Sequence, residues 1–539
     1  MGKIIVFGLD GGSIKLIEQW KDELPTFKKI MEAGIFGELE STVPDLTCPA
    51  WPCMFTGKNP GKLGMYDFIE LGFGNEHGSS VFNSSHYHAS SVWKILNDYG
   101  KKVGLLNVPM TFPPHKINGF IVCGLGAPGT TAKYTYPDSL AKTLDKIVGG
   151  YEIEPMIDLN LYGREEKYLK ISKEMLDKRF KSARYLMHHF RWDLCVFVFR
   201  ATDWVQHYFW HHMDASHPRY INNSKYKDAI KECYKRIDTG IGALMKEAPE
   251  DTNILLVSDH GGGPEYERFR VNRWLEENGF LKFRERGWIQ IDVFLNKIRE
   301  FLGIFYMRMD SKLVRLIAKI LPQKLKSELV LTFEGKISEV IRDIDWARTK
   351  AYAAGTRGGI FVTLKEEPRG NVLESKREYE EVRDQIIAGL SQVINPHTGE
   401  LTDFQIFKKE AIYHGQYVNR APDISICGTK YFPLGFYGKQ QWCQFATSGT
   451  HTRQGLFMAY GPDIKKDGLR LTGLQIYDVT PTILHILGVP IPDDIDGRIL
   501  TEIFQPRHEQ ARKKLMDKES LEKQKVKNRI NQLKDSGKI

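Results

Sequence analysis

Short apolar runs alternating with stretches of helical period constrain this chain more than any other feature. The runs fall at Ile4 to Leu9, 103 to 107, 119 to 124, 194 to 200 and 253 to 258, and a helix-period stretch follows the first as far as about Glu32. Strands that read as continuous apolar runs are buried on both faces, which a parallel sheet covered by crossover helices provides. The chain is therefore expected to be an α/β protein with a mostly parallel central sheet and helices on both faces. Several runs end in residues able to do chemistry: Asp10 after the first, Asp203 after the fourth, Asp259 and His260 after the fifth. Ligand sites in open α/β sheets lie beyond the carboxyl ends of the strands, so residues distant in sequence can converge there.

The alternation breaks from about 285 to 345, where Phe301, Phe305, Leu313 and Leu316 recur near helical spacing among Lys and Arg. This predicts an inserted helical cap. Its apolar face either packs on the core or a second subunit, or touches an amphiphilic or membrane-surface substrate. Sheet-like alternation resumes over Ala351 to Leu364, and a run at Leu456 to Tyr460 precedes a helix from about Asp478 to Leu487. The expected organisation is a catalytic body of residues 1–284 and 346–504, a cap at 285–345 and a charged tail at 505–539.

With 42% hydrophobic and 27% charged residues, the chain can bury a large core. The net charge of +9 gathers in the tail and the insertion, and no zinc finger or aromatic-interleaved basic stripe marks a nucleic-acid-binding module. The seven cysteines lack metal-ligand spacing and read as reduced thiols. Met1-Gly2-Lys3 runs straight into the first strand, and no apolar stretch reaches the length of a membrane span, so a cytoplasmic protein is expected, peripheral to the membrane at most through 285–345.

Taken singly, the polar residues have ordinary readings. Thr47 before a helix reads as an N-cap. Asp10, preceding Gly11-Gly12, reads as a strand-end carboxylate exposed at the sheet edge. Asp203 and His207, four apart in Thr202-Asp203-Trp204-Val205-Gln206-His207, share one face of a helix and suit two ligands of one metal. Asp259-His260 ends an apolar strand before three glycines, and His451 lies in a polar loop where a surface histidine is the ordinary reading.

The segment Val43-Pro44-Asp45-Leu46-Thr47-Cys48-Pro49-Ala50-Trp51, followed by Thr56-Gly57-Lys58-Asn59-Pro60, resembles the alkaline phosphatase superfamily. That superfamily carries its nucleophile before x-Pro at a helix start, then Thr-Gly-x-x-Pro, and its type I phosphodiesterase/nucleotide pyrophosphatase branch uses Thr. The resemblance implies Thr47 as nucleophile and a phosphothreonine intermediate. It also implies two divalent ions, one held by Asp203, His207 and His451, the other by Asp10, Thr47, Asp259 and His260. Mixed Asp and His ligands suit zinc, with manganese or iron as alternatives. The implied substrate is a phosphate ester: a nucleotide, sugar or lipid headgroup. The Asp478 to Leu484 helix and Asp496-Gly497-Arg498 are similar to the superfamily's C-terminal signature.

Two positions depart from that pattern. Leu63 stands where the diesterase branch usually has His, and Asp67 near where an Asn would help hold a phosphoryl oxygen. Lys58, Arg357 and Arg453 are either phosphate contacts or solvated surface charges. A sulfatase would need a Cys or Ser for formylglycine at the place of Thr47. A phosphomonoesterase or phosphomutase and a non-catalytic metal-binding scaffold remain the alternatives.

Overall fold

Every residue from Ile4 to Leu9 of the first strand, β1 (Lys3–Leu9), is buried, as its apolar run requires. In the computed structural model, residues 2–70, 80–87, 89–154, 164–284, 344–365, 372–435, 437–438, 440–444 and 447–506 are described. The expected cap, its lipid-facing role and the charged tail lie outside the described residues, apart from a few flanking positions.

The strands joining β1 are β2 (Ile35–Glu40), β3 (Val103–Val108), β4 (Gly119–Cys123), β5 (Thr135–Tyr136), β6 (Leu194–Phe199) and β7 (Thr252–Val257). Next come β8 (Gly261–Pro264) and a second set, β9 (Ala351–Ala354), β10 (Gly359–Val362), β11 (Gln405–Lys408) and β12 (Ile424–Cys427). The last three are β13 (Gly449–Thr452), β14 (Gln454–Tyr460) and β15 (Leu469–Gln475). The main sheet has nine strands in the order β15-β2-β14-β7-β1-β6-β3-β4-β5. β1 lies at its centre, parallel to both neighbours, with Gly8 opposite Val198 on one side and Val257 on the other. The sheet is mostly parallel, and helices surround it. Each fully buried Val, Leu, Ile or Phe contributes about 1.5–3 kcal/mol, so this centre is a rigid platform for whatever follows its strands.

Two strands run against the pattern, the edge strand β5 and, within the sheet, β14, and the second matters for the site. β14 is antiparallel to β7, so its first residue, not its last, lies near the carboxyl end of β7. The hairpin-like pairing of β8 with β13 completes this approach and sets Gly262 opposite His451. β2 and β15 are less apolar than the central strands and escape a search for apolar runs; β15 is largely exposed.

The single helix expected up to Glu32 is two, α1 (Ile14–Trp20) and α2 (Pro25–Glu32). Pro25 takes the first position of α2, and the residue before it, Leu24, is pushed out of helical geometry (φ −120°, ψ 72°). The Thr47 motif forms α3 (Thr47–Thr56), and the Asp203 motif forms α4 (Ala201–Met213). The C-terminal signature forms α5 (Val479–Leu487).

β9 to β12 form a separate antiparallel sheet in the order β9-β10-β12-β11. It has its own apolar core, including Trp274, Ile360, Ile386 and Ile424. Six cysteines are buried and Cys443 is half-buried, none of them joined to another. Among the described residues, no helix is long and apolar enough to cross a membrane.

Candidate active site

Asp10 directly continues β1, and its amide donates to the carbonyl of Phe199 in β6 (3.0 Å). The next residue, Gly11, has φ +67°, and a Cβ there would lie 3.1 Å from the Cα of Asp203, so only glycine lets this turn meet α4 so closely. Asp10 is fully buried rather than exposed at the sheet edge, because β1 is central and α3 and α4 cover its end. Its Oδ2 accepts from Trp51 Nε1 on α3 (3.1 Å) and from Arg200 Nε (3.0 Å).

Thr47 is the first residue of α3, and the N-cap position belongs to Leu46, which is extended and makes no side-chain cap. The N-cap reading of Thr47 is therefore replaced. Its Oγ1 lies 3.4 Å from His260 Nε2, at a helix N-terminus where unpaired N–H groups favour an anion.

On α4 the predicted spacing holds: His207 Nε2 is 3.1 Å from Asp203 Oδ1. His451 joins them from β13, its Nε2 3.2 Å from His207 Nε2 and 3.5 Å from Asp203 Oδ1. It is buried rather than a surface histidine, because the antiparallel β14 returns the chain to the carboxyl end of β7. At that end Asp259 Oδ1 accepts from Gly11 N (3.2 Å), and His260 Nε2 lies 3.2 Å from Asp259 Oδ2 and 3.8 Å from Asp10 Oδ1. The His260 and His451 rings stack with centroids 3.6 Å apart, so the two clusters are contiguous.

The three histidines share one arrangement. Nδ1 of His207 faces the Gly449 carbonyl (2.7 Å), Nδ1 of His451 that of Asp45 (2.7 Å), and Nδ1 of His260 that of Gly261 (3.0 Å). A carbonyl only accepts, so each Nδ1 carries hydrogen and each Nε2 is turned toward the cluster. Buried Asp10 Oδ1 and Asp259 Oδ2 make no hydrogen bond. Within Asp203, His207 and His451, and within Asp10, Asp203 and His260, donor atoms lie no more than 4.8 Å apart. Oriented imidazoles and spare carboxylate oxygens are the donor set a divalent cation requires, and these residues fit one.

Charge is distributed unevenly. Burial, reinforced by the negative charge of Asp10, pushes the Asp259 carboxyl up to about 8. Asp203 is also buried, yet the His207 and His451 rings hold it well below the usual carboxylate range. Burial lowers His451 strongly, and the neighbouring His260 adds to this.

Several expected solvated cations are structural. Lys58 is buried and pairs with Asp494, while Arg453 is partly buried and pairs with Glu40. Arg357 is buried, its Nη2 2.8 Å from Asp45 Oδ1, and its planar group lies over Phe432. It reaches Asp45 from the turn between β9 and β10, so it ties the nucleophile loop to the second sheet. Asp67 points both oxygens at Thr356, accepting from its amide (2.7 Å), with Phe68 N on Oδ1 (2.7 Å). Leu63 sits in an apolar cluster with Cys48, Cys53 and Met65. The two distant motifs meet directly: Asp496 accepts from Asn59 N (2.8 Å) and Nδ2 (2.9 Å) and pairs with Lys62, bracing the turn after α3.

Sequence reasoning missed Arg200, Glu154 and Trp51. Arg200 had a signal, since it stands at a strand end three residues before Asp203. Beside the 43–47 loop, Pro44, Tyr66, Phe82, Phe361 and Arg420 help line a small cavity of about 50 Å³.

A mostly parallel sheet ringed by helices, with polar clusters beyond the carboxyl ends of its central strands, is the alkaline phosphatase-like α/β architecture. The chain belongs to the type I phosphodiesterase/nucleotide pyrophosphatase family, whose sequence model matches residues 4–446. Among solved structures it is similar to murine ectonucleotide pyrophosphatase/phosphodiesterase 5, in an inactive form in complex with AMP, at 13% identity and a TM-score of 0.51. That match covers 94% of this chain and 100% of the other. A second structure of the murine protein matches at 13% identity and a TM-score of 0.50, covering 93% and 100%. At such identity these likenesses speak for the fold. No match is found among the curated proteins.

Proposed function

We propose that this chain hydrolyses phosphate esters with Thr47 as nucleophile, as a phosphodiesterase or nucleotide pyrophosphatase using two divalent ions. The observation that carries this reading is that three backbone-oriented imidazoles and the Asp10, Asp203 and Asp259 carboxylates form contiguous clusters, and that one of these imidazoles, His260, lies 3.4 Å from Thr47 Oγ1. Asp203, His207 and His451 would hold one ion, and Asp10, Thr47, Asp259 and His260 the other. Zinc suits this mixed set best, with manganese or iron as alternatives. Such ions, when bound, supply the positive charge that offsets the developing charge on the attacking and leaving oxygens.

Thr47 Oγ attacks phosphorus in line with the bond to the leaving group, that bond breaks, and a phosphothreonine results. Water then attacks the same phosphorus, releases the phosphate product and restores the hydroxyl. Helix α3 begins at Thr47, and its unpaired N-terminal N–H groups would favour a phosphoryl group bound there. A neighbouring fold in complex with AMP supports a nucleotide substrate.

A phosphomonoesterase is the second reading, favoured by one observation: both oxygens of Asp67 are taken up by Thr356 and Phe68, so no amide donor stands at that place. Turnover of p-nitrophenyl thymidine 5′-monophosphate against p-nitrophenyl phosphate, with Zn²⁺ present, decides between them. The diester is expected to turn over faster, and the reverse order assigns a monoesterase. Thr47→Ala is expected to lower turnover by about 10³-fold or more while the protein still binds metal. Recovery of a trapped phosphoryl group on any other residue rejects Thr47.

A further inference from the structure

We infer that Arg200 is a positioning residue that orients ligand carboxylates of both clusters at once, an inference that rests on the two-ion reading above. Arg200 lies between the last residue of β6 and the first of α4, and only 10% of its side chain is exposed. Its Nε is 3.0 Å from Asp10 Oδ2, its Nη2 3.6 Å from Asp203 Oδ2 and its Nη1 2.6 Å from Glu154 Oε2. Asp10 belongs to one proposed ion site and Asp203 to the other, and Asp203 also lies within ligand reach of Asp10 and His260. In both carboxylates the guanidinium lies on the Oδ2 side, hydrogen-bonded to Asp10 and in ionic contact with Asp203, and it does not engage Oδ1. Asp203 Oδ1 faces His207 and His451, and Asp10 Oδ1 has no hydrogen-bond partner.

Arginine suits this place because its planar group carries several donors in fixed directions and no acceptor, so it can hold two carboxylates without competing for their inner oxygens. A lysine offers one compact ammonium and cannot span both. Glu154 balances the positive charge that would otherwise oppose cations nearby, and it anchors the far side of the guanidinium. Trp51, donating to Asp10 Oδ2 (3.1 Å), fixes the same oxygen from α3 and makes its orientation independent of the metal. Carboxylates held by outer partners in this way bind metal more tightly, and loss of such a partner typically costs about 10–100-fold in affinity or activity.

The test titrates metal-free wild type, Arg200→Met, Arg200→Lys and Glu154→Gln with Co²⁺, reading the visible ligand-field bands and the binding curve. Arg200→Met is expected to weaken both Co²⁺ equivalents by about 10–100-fold and to change the band positions. Arg200→Lys recovers part of that affinity, and Glu154→Gln weakens both equivalents by a smaller factor. Wild-type affinity, tighter binding, or weakening confined to one equivalent in Arg200→Met overturns the inference. Should Arg200→Met not fold, Glu154→Gln decides, and an unchanged titration and spectrum there overturns it. Asp203→Asn separates the two levels of the argument. If wild type binds no Co²⁺ that this substitution removes, the two-ion reading itself fails; if it does and Arg200→Met matches wild type, only the role of Arg200 fails.

Discussion

Asp203 and His207 stand one turn apart on a single helix and need only His451 from elsewhere, whereas Asp10, Thr47 and the Asp259-His260 pair come from three separate segments. The difference extends to electrostatics. In the helix cluster one carboxylate sits between two imidazoles, and Asp203 keeps its charge even when buried. In the strand-end cluster Asp10 and Asp259 share one histidine in a fully buried space, and burial together with Asp10 pushes Asp259 up to about 8. Like charges that cannot both be solvated demand a cation or a proton. A cluster made from local sequence can carry its own counter-charge, while one assembled at the centre of a sheet inherits the desolvation of the core.

Selective removal of one ligand from each cluster tests this division, and the largest effect is expected there. Asp203→Asn and Asp259→Asn should each lower turnover by at least about 10²-fold, as loss of one electrostatic stabiliser does. Metal analysis of each should find one ion retained. Loss of both ions from both variants would mean that the clusters are a single unit.

The metal-free protein sharpens the comparison with a difference of sign. An unfolded Asp titrates near 3.9. Asp259 holds its proton more tightly when folded, so the stability it adds is present below about pH 4 and is lost as pH rises towards about 8. Asp203 is shifted the other way, so its contribution is present above about pH 4 and is lost as pH falls through its lower folded value. At pH 8 without metal, Asp259→Asn should therefore melt above wild type and Asp203→Asn below it. Shifts on the order of 2 °C per kcal/mol are expected by calorimetry. Equal signs would show that the clusters share one electrostatic environment.

The smallest effect belongs to the brace behind α3. Asp496→Asn loses its ionic pairing with Lys62 and His414 near a partly solvated turn, for a cost of about 1 kcal/mol once screening is allowed for. Denaturant unfolding should register this while metal content stays at the wild-type level. A fall in metal content would show that the brace also sets ligand geometry on the Thr47 side.

The legibility of the site followed the same division. The helix spacing of Asp203 and His207 and the strand-end positions of Asp10 and Asp259 could be read from local pattern. Arg200 could not be assigned a role, because its partners Asp10 and Glu154 are 190 and 46 residues away. Arg357, which local pattern leaves as either a phosphate contact or a surface cation, is brought to Asp45 by the β9–β10 turn. Pro25 marks the break between α1 and α2 in the sequence itself, although the apolar period runs on across it.

What the sequence determined by itself was the α/β class and the central apolar strands, because strand and helix periods are local properties of side-chain direction; the candidate ligand set came with the family resemblance. What only the tertiary structure decided was burial and charge pairing: that Asp10 lies sealed at the centre of a sheet, that His451 arrives on an antiparallel strand, and that Lys58 and Arg357 are paired inside. Burial and ion pairing depend on which distant segments are packed together, and desolvation is a property of that packing rather than of any stretch of chain.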